Sequence, residues 1–207
     1  MNIASLLVKT AQAFPDGIAL ARGEVPHATW RAMLRKVSVM ATHLRHRMGL
    51  RPGERVALAM TNGVESLEAM YAIWHAGLCA VPMNAKLHPK EFAFILENSG
   101  ARACFVTPDL AEAIASVKSE CPSLERVIDT TTRDYSFMAV GDPIALHRAS
   151  PTDPAWFFYT SGTTGRPKGA VLTNRNLLAM SQNYYADVDR PEPGGSIIHV
   201  APISHGS

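Results

Sequence analysis

The sequence predicts an α/β fold in which layered, mostly parallel β-sheets are flanked by helices. The first observation behind this prediction is that short apolar segments of strand length alternate with longer segments whose apolar residues recur every three or four positions. The second is that glycine and proline punctuate the junctions between these segments. Such an alternation is typical of βαβ units, whose right-handed crossovers place successive strands side by side and parallel.

The first 81 residues predict three helices and three strands. Thr29 can cap the second helix through its hydroxyl, and Gly49 can end it. In chain order, the expected elements are a helix over 3–14, a strand over 18–21, a helix over 29–49, a strand over 55–60, a helix over 64–77 with a capping-box-like start at Asn62, and a strand over 78–81.

The next part of the chain predicts a second βαβ unit. Pro89 suits the first position of a helix, where its missing N–H costs no hydrogen bond, and a strand over 101–106 follows Gly100. A helix face at Leu110, Ile114 and Val117 and a short strand at Val127 and Ile128 come next. The prolines and threonines of 129–154 indicate irregular chain between two lobes.

We place a domain boundary near Ser150. The sequence thus predicts an N-terminal α/β subdomain over residues 1–150 and the start of a second α/β subdomain over 151–207. In the second part we expect a helix from Thr173 or Asn174 to about Asp187 and a last strand over 197–201.

Size, composition and charge exclude few function classes. The chain has 207 residues, 47% hydrophobic and 18% charged, which suits one core or a modest two-lobed unit. The formal net charge of +2 indicates no nucleic-acid partner, and the basic residues between His43 and Arg51 are interpreted as a solvated helix end. We expect a cytoplasmic protein, since no apolar run reaches the roughly 20 residues of a membrane helix and a signal peptide's apolar core is missing.

Cysteine, histidine and glutamate residues indicate no metal or disulfide. Cys79 and Cys104 lie in apolar segments and are expected to be buried thiols, while Cys121 is expected in a loop. The eight histidines show no metal-ligand spacing. Three helical carboxylates are spaced like solvent-facing positions and are interpreted as structural: Glu65, Glu68 and Glu91.

The most informative stretch is a polar loop between two apolar segments. Residues 155–159 are uninterrupted apolar or aromatic, which predicts a central strand buried on both faces of a parallel sheet. Nine residues follow that combine hydroxyls, glycines and cations: Thr160, Ser161, Gly162, Thr163, Thr164, Gly165, Arg166, Pro167 and Lys168. Glycines let successive N–H groups point into one concavity, and hydroxyls and a lysine add donors, so the loop predicts a phosphate site.

Two other interpretations of this loop are weaker. The Walker loop needs four residues between its glycine and its Gly-Lys pair, whereas two residues separate Gly162 from Gly165 and Lys168 lies three further on. A flexible Ser/Gly linker is the structural alternative, but linkers are rarely held between two apolar strands.

The stretch YTSGTTGRPKGAVLTNRNL, residues 159–177, closely resembles the phosphate-binding signature of the adenylate-forming superfamily, which includes acyl-CoA synthetases. The segments over residues 53–77 and 81–106 also resemble this superfamily's N-terminal scaffold. The resemblance implies the N-terminal portion of the adenylate-forming enzyme fold. It also implies that Lys168 is catalytic and that Thr160 contacts magnesium as well as phosphate.

The end of the chain resembles a second motif of the same superfamily. Residues 202–205 match its Pro-x-x-His pattern, whose histidine lies at the wall of the carboxylate pocket, so His205 is expected to contact substrate. Ser204 stands where an aromatic residue is more frequent. The pattern therefore predicts a carboxylate site and gives no pocket size.

The resemblance implies an acid–thiol ligase that uses ATP, Mg²⁺ and CoA to convert a carboxylic acid to acyl-AMP and then to a thioester. It allows a homodimer and implies no nucleic-acid partner. The superfamily's later acidic residue, ribose aspartate, hinge and mobile lysine domain have no counterpart before residue 207, so we expect a fragment that is inactive alone. A non-catalytic nucleotide-binding module and a purely structural α/β domain are the alternatives.

Overall fold

The computed structural model describes residues 1–160, 167–190, 192 and 194–205. Strands in this part of the chain are β1 (Ile18–Arg22), β2 (Val25–Thr29), β3 (Arg55–Ala59), β4 (Cys79–Met83), β5 (Ala103–Val106), β6 (Arg126–Asp129), β7 (Pro154–Thr160) and β8 (Lys168–Thr173). Helices are α1 (Ser5–Ala13), α2 (Trp30–Thr42), α3 (Val64–His75), α4 (Pro89–Ser99), α5 (Pro108–Val117), α6 (Arg133–Phe137) and α7 (Asn174–Asn183).

A six-stranded sheet forms the centre of the molecule. Its strand order is β6-β5-β3-β4-β7-β8, and neighbouring strands are parallel except for the antiparallel pair β7 and β8. A separate antiparallel pair, β1 and β2, lies outside it. The predicted α/β fold with a mostly parallel sheet is confirmed.

Helices cover both faces of this sheet, and each face has its own apolar core. On one face, α4 and α5 bury Phe92, Ile95 and Ile114 against the strands. On the other, helices α1, α2, α3 and α7 pack with residues such as Met40 and Ile73. The six-stranded sheet includes strands from both sides of Ser150, while the proposed division of the chain there stays a prediction.

Local capping signals placed several helix ends as predicted. The Thr29 hydroxyl accepts a hydrogen bond from the Ala32 N–H at 3.2 Å at the start of α2. Pro89 occupies the first turn of α4, and Gly100 ends that helix in the left-handed region at φ 60°. The predicted cap at Asn62 is wrong, because Gly63 precedes α3 without a side-chain cap.

Four features of the structure differ from the prediction because tertiary contacts decide them. Strand β2 and helix α6 were not predicted, and the expected strand over 197–201 is irregular chain. The β7 segment is not central: it lies between parallel β4 and antiparallel β8, and Phe157 to Tyr159 are only half-buried. The aromatic residues of β7 pack against the helices on both faces of the sheet, and they do not indicate a strand with parallel neighbours on both sides.

Glu68 corrects the expectation that the helical glutamates face solvent. It is fully buried, and its carboxylate accepts hydrogen bonds from Lys36 Nζ at 2.5 Å and from the Tyr135 hydroxyl at 3.2 Å. His27 Nε2 lies 3.2 Å from the same carboxylate. His27 lies on β2 and Tyr135 on α6, and neither element was predicted. These two elements cover the face of α3 that carries Glu68, a face that residue spacing alone predicts to be exposed. Glu65 and Glu91 are not buried.

The connection from α6 to β7 runs across helices α2 and α3. The Ile144 N–H donates to the Ser38 carbonyl at 3.3 Å, and the His147 N–H donates to the His75 carbonyl at 3.0 Å. The Thr42 hydroxyl also donates to the Asp142 carbonyl at 2.6 Å. Held by these bonds, the connection crosses from β6 at one edge of the sheet to β7, between β4 and β8.

The cysteines of the described chain are buried thiols. Burial raises the pKa of both Cys79 and Cys104 to about 12, which keeps them protonated. Cys121 follows a short 3₁₀ turn and is also buried.

Among the residues that the structure places, no group of three His, Cys, Asp or Glu side chains could hold a metal ion. Within the same part of the chain, no helix has the length and apolar character needed to cross a membrane.

His75 predicts a pH dependence of stability. Its Nε2 bonds the Ile144 carbonyl at 3.0 Å, and its buried Nδ1 has no partner among the described residues, so a second ring proton would lack an acceptor. Burial lowers the pKa of His75, while the Ile144 hydrogen bond acts in the opposite direction. The unfolded chain therefore takes up the proton at higher pH than the folded chain, and stability falls as pH drops below about 6.5.

We expect denaturant unfolding to show a larger stability loss between pH 7.5 and pH 5.5 for the wild type than for His75→Gln, which cannot titrate. One proton sets an upper limit of about 1.4 kcal/mol per pH unit on this difference. Identical pH dependence of the two proteins would show that His75 is not responsible.

Candidate functional site

The predicted phosphate loop joins the two strands of a β-hairpin. Strands β7 and β8 pair antiparallel, and Thr160 opposite Lys168 is the last pair before the connection. The predicted phosphate ligands Ser161, Gly162, Thr163, Thr164, Gly165 and Arg166 lie outside the described residues. Because β7 is parallel to β4, its end lies at the same edge of the sheet as the carboxyl ends of β3, β4 and β5. Ligands of open α/β sheets commonly bind at this edge.

Thr160 and Lys168 are brought together by the hairpin. Directly opposite residues of an antiparallel pair project from the same face, with Cβ atoms roughly 4.5–5.5 Å apart. Both residues are exposed. A hydroxyl beside an ammonium group can donate hydrogen bonds to a phosphate oxygen. The hydroxyl oxygen can also serve as a ligand of Mg²⁺.

The turn that contains His205 lies at the same edge of the sheet and is held by Asn62, which follows β3. The Asn62 amide donates to the Ala201 carbonyl at 2.7 Å, and its oxygen accepts from the Ile203 N–H at 2.9 Å. A 3₁₀ turn over Ile203–His205 follows directly. Both predicted parts of the site, the loop and the His205 turn, are thus attached to carboxyl ends of strands, although the His205 side chain lies outside the description.

Three further residues support the hairpin, and sequence reasoning did not find them. The Tyr159 hydroxyl donates to Asn98 Oδ1 at 2.7 Å, and the Tyr159 ring lies against Gly169 on the paired strand. The pKa of Tyr159 is raised because the side chain is partly buried, and the charge of the nearby Arg55 offsets part of this effect. The available sequence signal was Gly169, directly after the lysine of the loop, but its contact partner could not be read from spacing.

Comparison with known sequences agrees with this arrangement. The profile of the family described as AMP-binding enzyme matches residues 7–207. A feruloyl-CoA synthase from an Amycolatopsis species is 31% identical over the whole chain, which covers 40% of that protein. An oxalate–CoA ligase from Arabidopsis thaliana is 29% identical over 99% of the chain, which covers 41% of that protein. The chain therefore spans about two fifths of the length of these relatives.

Solved structures show the same fold. The inhibitor-bound N-terminal domain of FACL13 from Mycobacterium tuberculosis matches 92% of this chain with a TM-score of 0.83 and 26% identity, and the chain covers 48% of it. The anthranilate CoA ligase AuaEII, in complex with anthranoyl-AMP, matches 91% of the chain with a TM-score of 0.84 and 23% identity, with 36% of that protein covered. The resemblance to the adenylate-forming enzymes is confirmed. This chain belongs to the AMP-binding enzyme family.

Proposed function

We propose that these residues form the N-terminal part of an ATP-dependent acid–thiol ligase that activates a carboxylic acid as an acyl-adenylate and transfers it to CoA. The observation that carries the proposal is the hairpin that sets Thr160 opposite Lys168 at the carboxyl edge of the sheet. The names of the relatives, which are CoA synthases and ligases, support the reaction class. Those names include acids as different as feruloyl and oxalate, so the proposal specifies a carboxylic acid and no particular one.

The roles of the hairpin residues follow from the charge that develops during adenylation. A carboxylate is a poor electrophile, and ATP, when bound, supplies an activated phosphorus and a pyrophosphate leaving group. The Lys168 ammonium would stabilise the negative charge that builds on the departing phosphates, which is electrostatic catalysis. The Thr160 hydroxyl would donate to the same phosphates or offer its oxygen to Mg²⁺, and residues 161–166 would add backbone and hydroxyl donors.

The His205 turn would form part of the carboxylate pocket. Asn62 holds the backbone of residues 201 and 203 from the end of β3, so the turn lies at the same sheet edge as the hairpin.

We further propose that residues 1–150 and 151–207 belong to different subdomains of the whole protein, that the whole protein is cytoplasmic, and that it forms a homodimer.

Two measurements test this proposal. Calorimetric titration of the 207-residue chain with ATP and with pyrophosphate, each with Mg²⁺, should show saturable binding. Pyrophosphate exchange with assorted carboxylates should show no turnover by this chain and robust turnover by a full-length protein. Failure to bind either ligand would contradict the nucleotide site. Turnover by the 207-residue chain would contradict its proposed dependence on further residues, and binding without turnover in the full-length protein would favour a non-catalytic module.

A further inference from the structure

Tyr159 backs the hairpin from the face opposite to Thr160 and Lys168. Alternate residues of a strand point to opposite faces, so Tyr159 and its cross-strand partner Gly169 face helix α4 when Thr160 and Lys168 face away from it. The tyrosine is half-buried there and packs with the core beneath α4. We infer that Tyr159 is a positioning residue that sets the two ends of the phosphate loop, an inference that rests on the proposed function.

Gly169 provides the space for this contact. A Cβ built on Gly169 would lie 3.0 Å from Tyr159 Cζ and 3.1 Å from Cε1, closer than most side chains tolerate. A side chain at this position would therefore push the aromatic ring away from the backbone of β8, whereas glycine leaves the ring where it is. Since Gly169 directly follows Lys168, the ring fixes the β8 backbone one residue from the lysine.

Asn98 provides a fixed point for the tyrosine hydroxyl. It lies in the last turn of α4 and accepts the Tyr159 hydrogen bond at 2.7 Å. That end of α4 is itself attached to β3, because Arg55 donates to the Ser99 carbonyl at 2.6 Å and to the Gly100 carbonyl at 3.2 Å. These bonds add a side-chain link between the hairpin and β3, beyond the direct pairing of β7 with β4.

The consequence concerns ligand affinity more than folding. Asn98 is exposed, and the Tyr159 hydroxyl makes a single hydrogen bond to it, so the fold does not depend on this bond. The phosphate donors, by contrast, must meet several oxygens at once, and a hairpin that rocks on α4 would hold them in the correct place for only part of the time. The bond therefore acts on where the Thr160–Lys168 pair lies relative to α4 and the sheet.

The test measures binding of MgATP and of magnesium pyrophosphate to the 207-residue chain by calorimetry. We expect Tyr159→Phe and Asn98→Leu each to weaken binding by about three- to tenfold, because apparent affinity falls with the fraction of molecules that hold the hairpin in its binding position. The double variant should be no weaker than either single variant, since both remove the same bond. Asn98→Asp keeps the acceptor oxygen and should bind within about twofold of the wild type, and Gly169→Ala should weaken binding because its methyl group displaces the ring.

The controls separate positioning from stability and from the proposed function. Tyr185→Phe changes an exposed tyrosine and should leave affinity unchanged. Denaturant midpoints of Tyr159→Phe and Asn98→Leu should stay close to that of the wild type. Wild-type binding that neither substitution weakens would overturn this inference alone. A wild-type chain that binds neither ligand would overturn the proposed function and this inference with it.

Discussion

Glu68→Ala is expected to lower the free energy of unfolding by about 2–4 kcal/mol, the largest stability effect of any single change considered. The carboxylate is fully buried and joins three elements through Lys36, His27 and Tyr135. Its removal leaves the Tyr135 hydroxyl without its buried acceptor and Lys36 without its counter-charge. The Lys36 side chain is 27% exposed and can turn toward water, so the loss should stay below that of a wholly buried pair.

Urea denaturation of the chain with fitted m-values would measure this loss, and Glu65→Ala provides a matched control. Glu65 lies one turn earlier on α3 and pairs with Arg22, whose side chain is 65% exposed. An exposed pair contributes at most about 1 kcal/mol, so the control should unfold close to the wild type. Equal losses for the two variants would show that burial of Glu68 does not stabilise the fold as argued.

Elements with local signals could be predicted from the sequence, whereas elements that depend on distant partners could not. Thr29, Pro89 and Gly100 placed helix ends because their caps are made within a few residues. Among the strands of the described residues, β2 pairs only with β1, and α6 is five residues long, so neither has a periodic pattern to detect. The buried state of Glu68 follows from these two elements and was missed with them.

The candidate site shows the same division. The composition of residues 160–168 predicts a phosphate loop, since hydroxyls, glycines and a lysine within nine residues provide phosphate donors without help from distant parts of the chain. Its position at the carboxyl edge of the sheet depends on β4 lying parallel beside β7, a contact across more than 70 residues. The Asn62 bonds to residues 201 and 203 span about 140 residues and likewise leave no trace in local spacing.

Lys168→Ala in a full-length protein is expected to slow adenylation at least about tenfold, with little change in stability. Lys168 is exposed at the first position of β8, and no hydrogen bond or ion pair of the described residues is assigned to its ammonium group, so its removal should not disturb packing. In the proposed reaction, however, the ammonium meets negative charge that grows as pyrophosphate departs. Loss of one such contact costs about 1.4 kcal/mol or more in the transition state.

The distribution of this effect between kcat and KM distinguishes catalysis from simple attraction of ATP. If Lys168 acts mainly on the developing charge, kcat in a pyrophosphate-exchange assay should fall while the KM for ATP changes less. Lys168→Arg should recover part of the rate because it keeps the charge, and Lys9→Ala on the exposed side of α1 should match the wild type. A wild-type rate for Lys168→Ala would show that the lysine has no part in the chemistry, while a rise in KM alone would assign it to ATP binding.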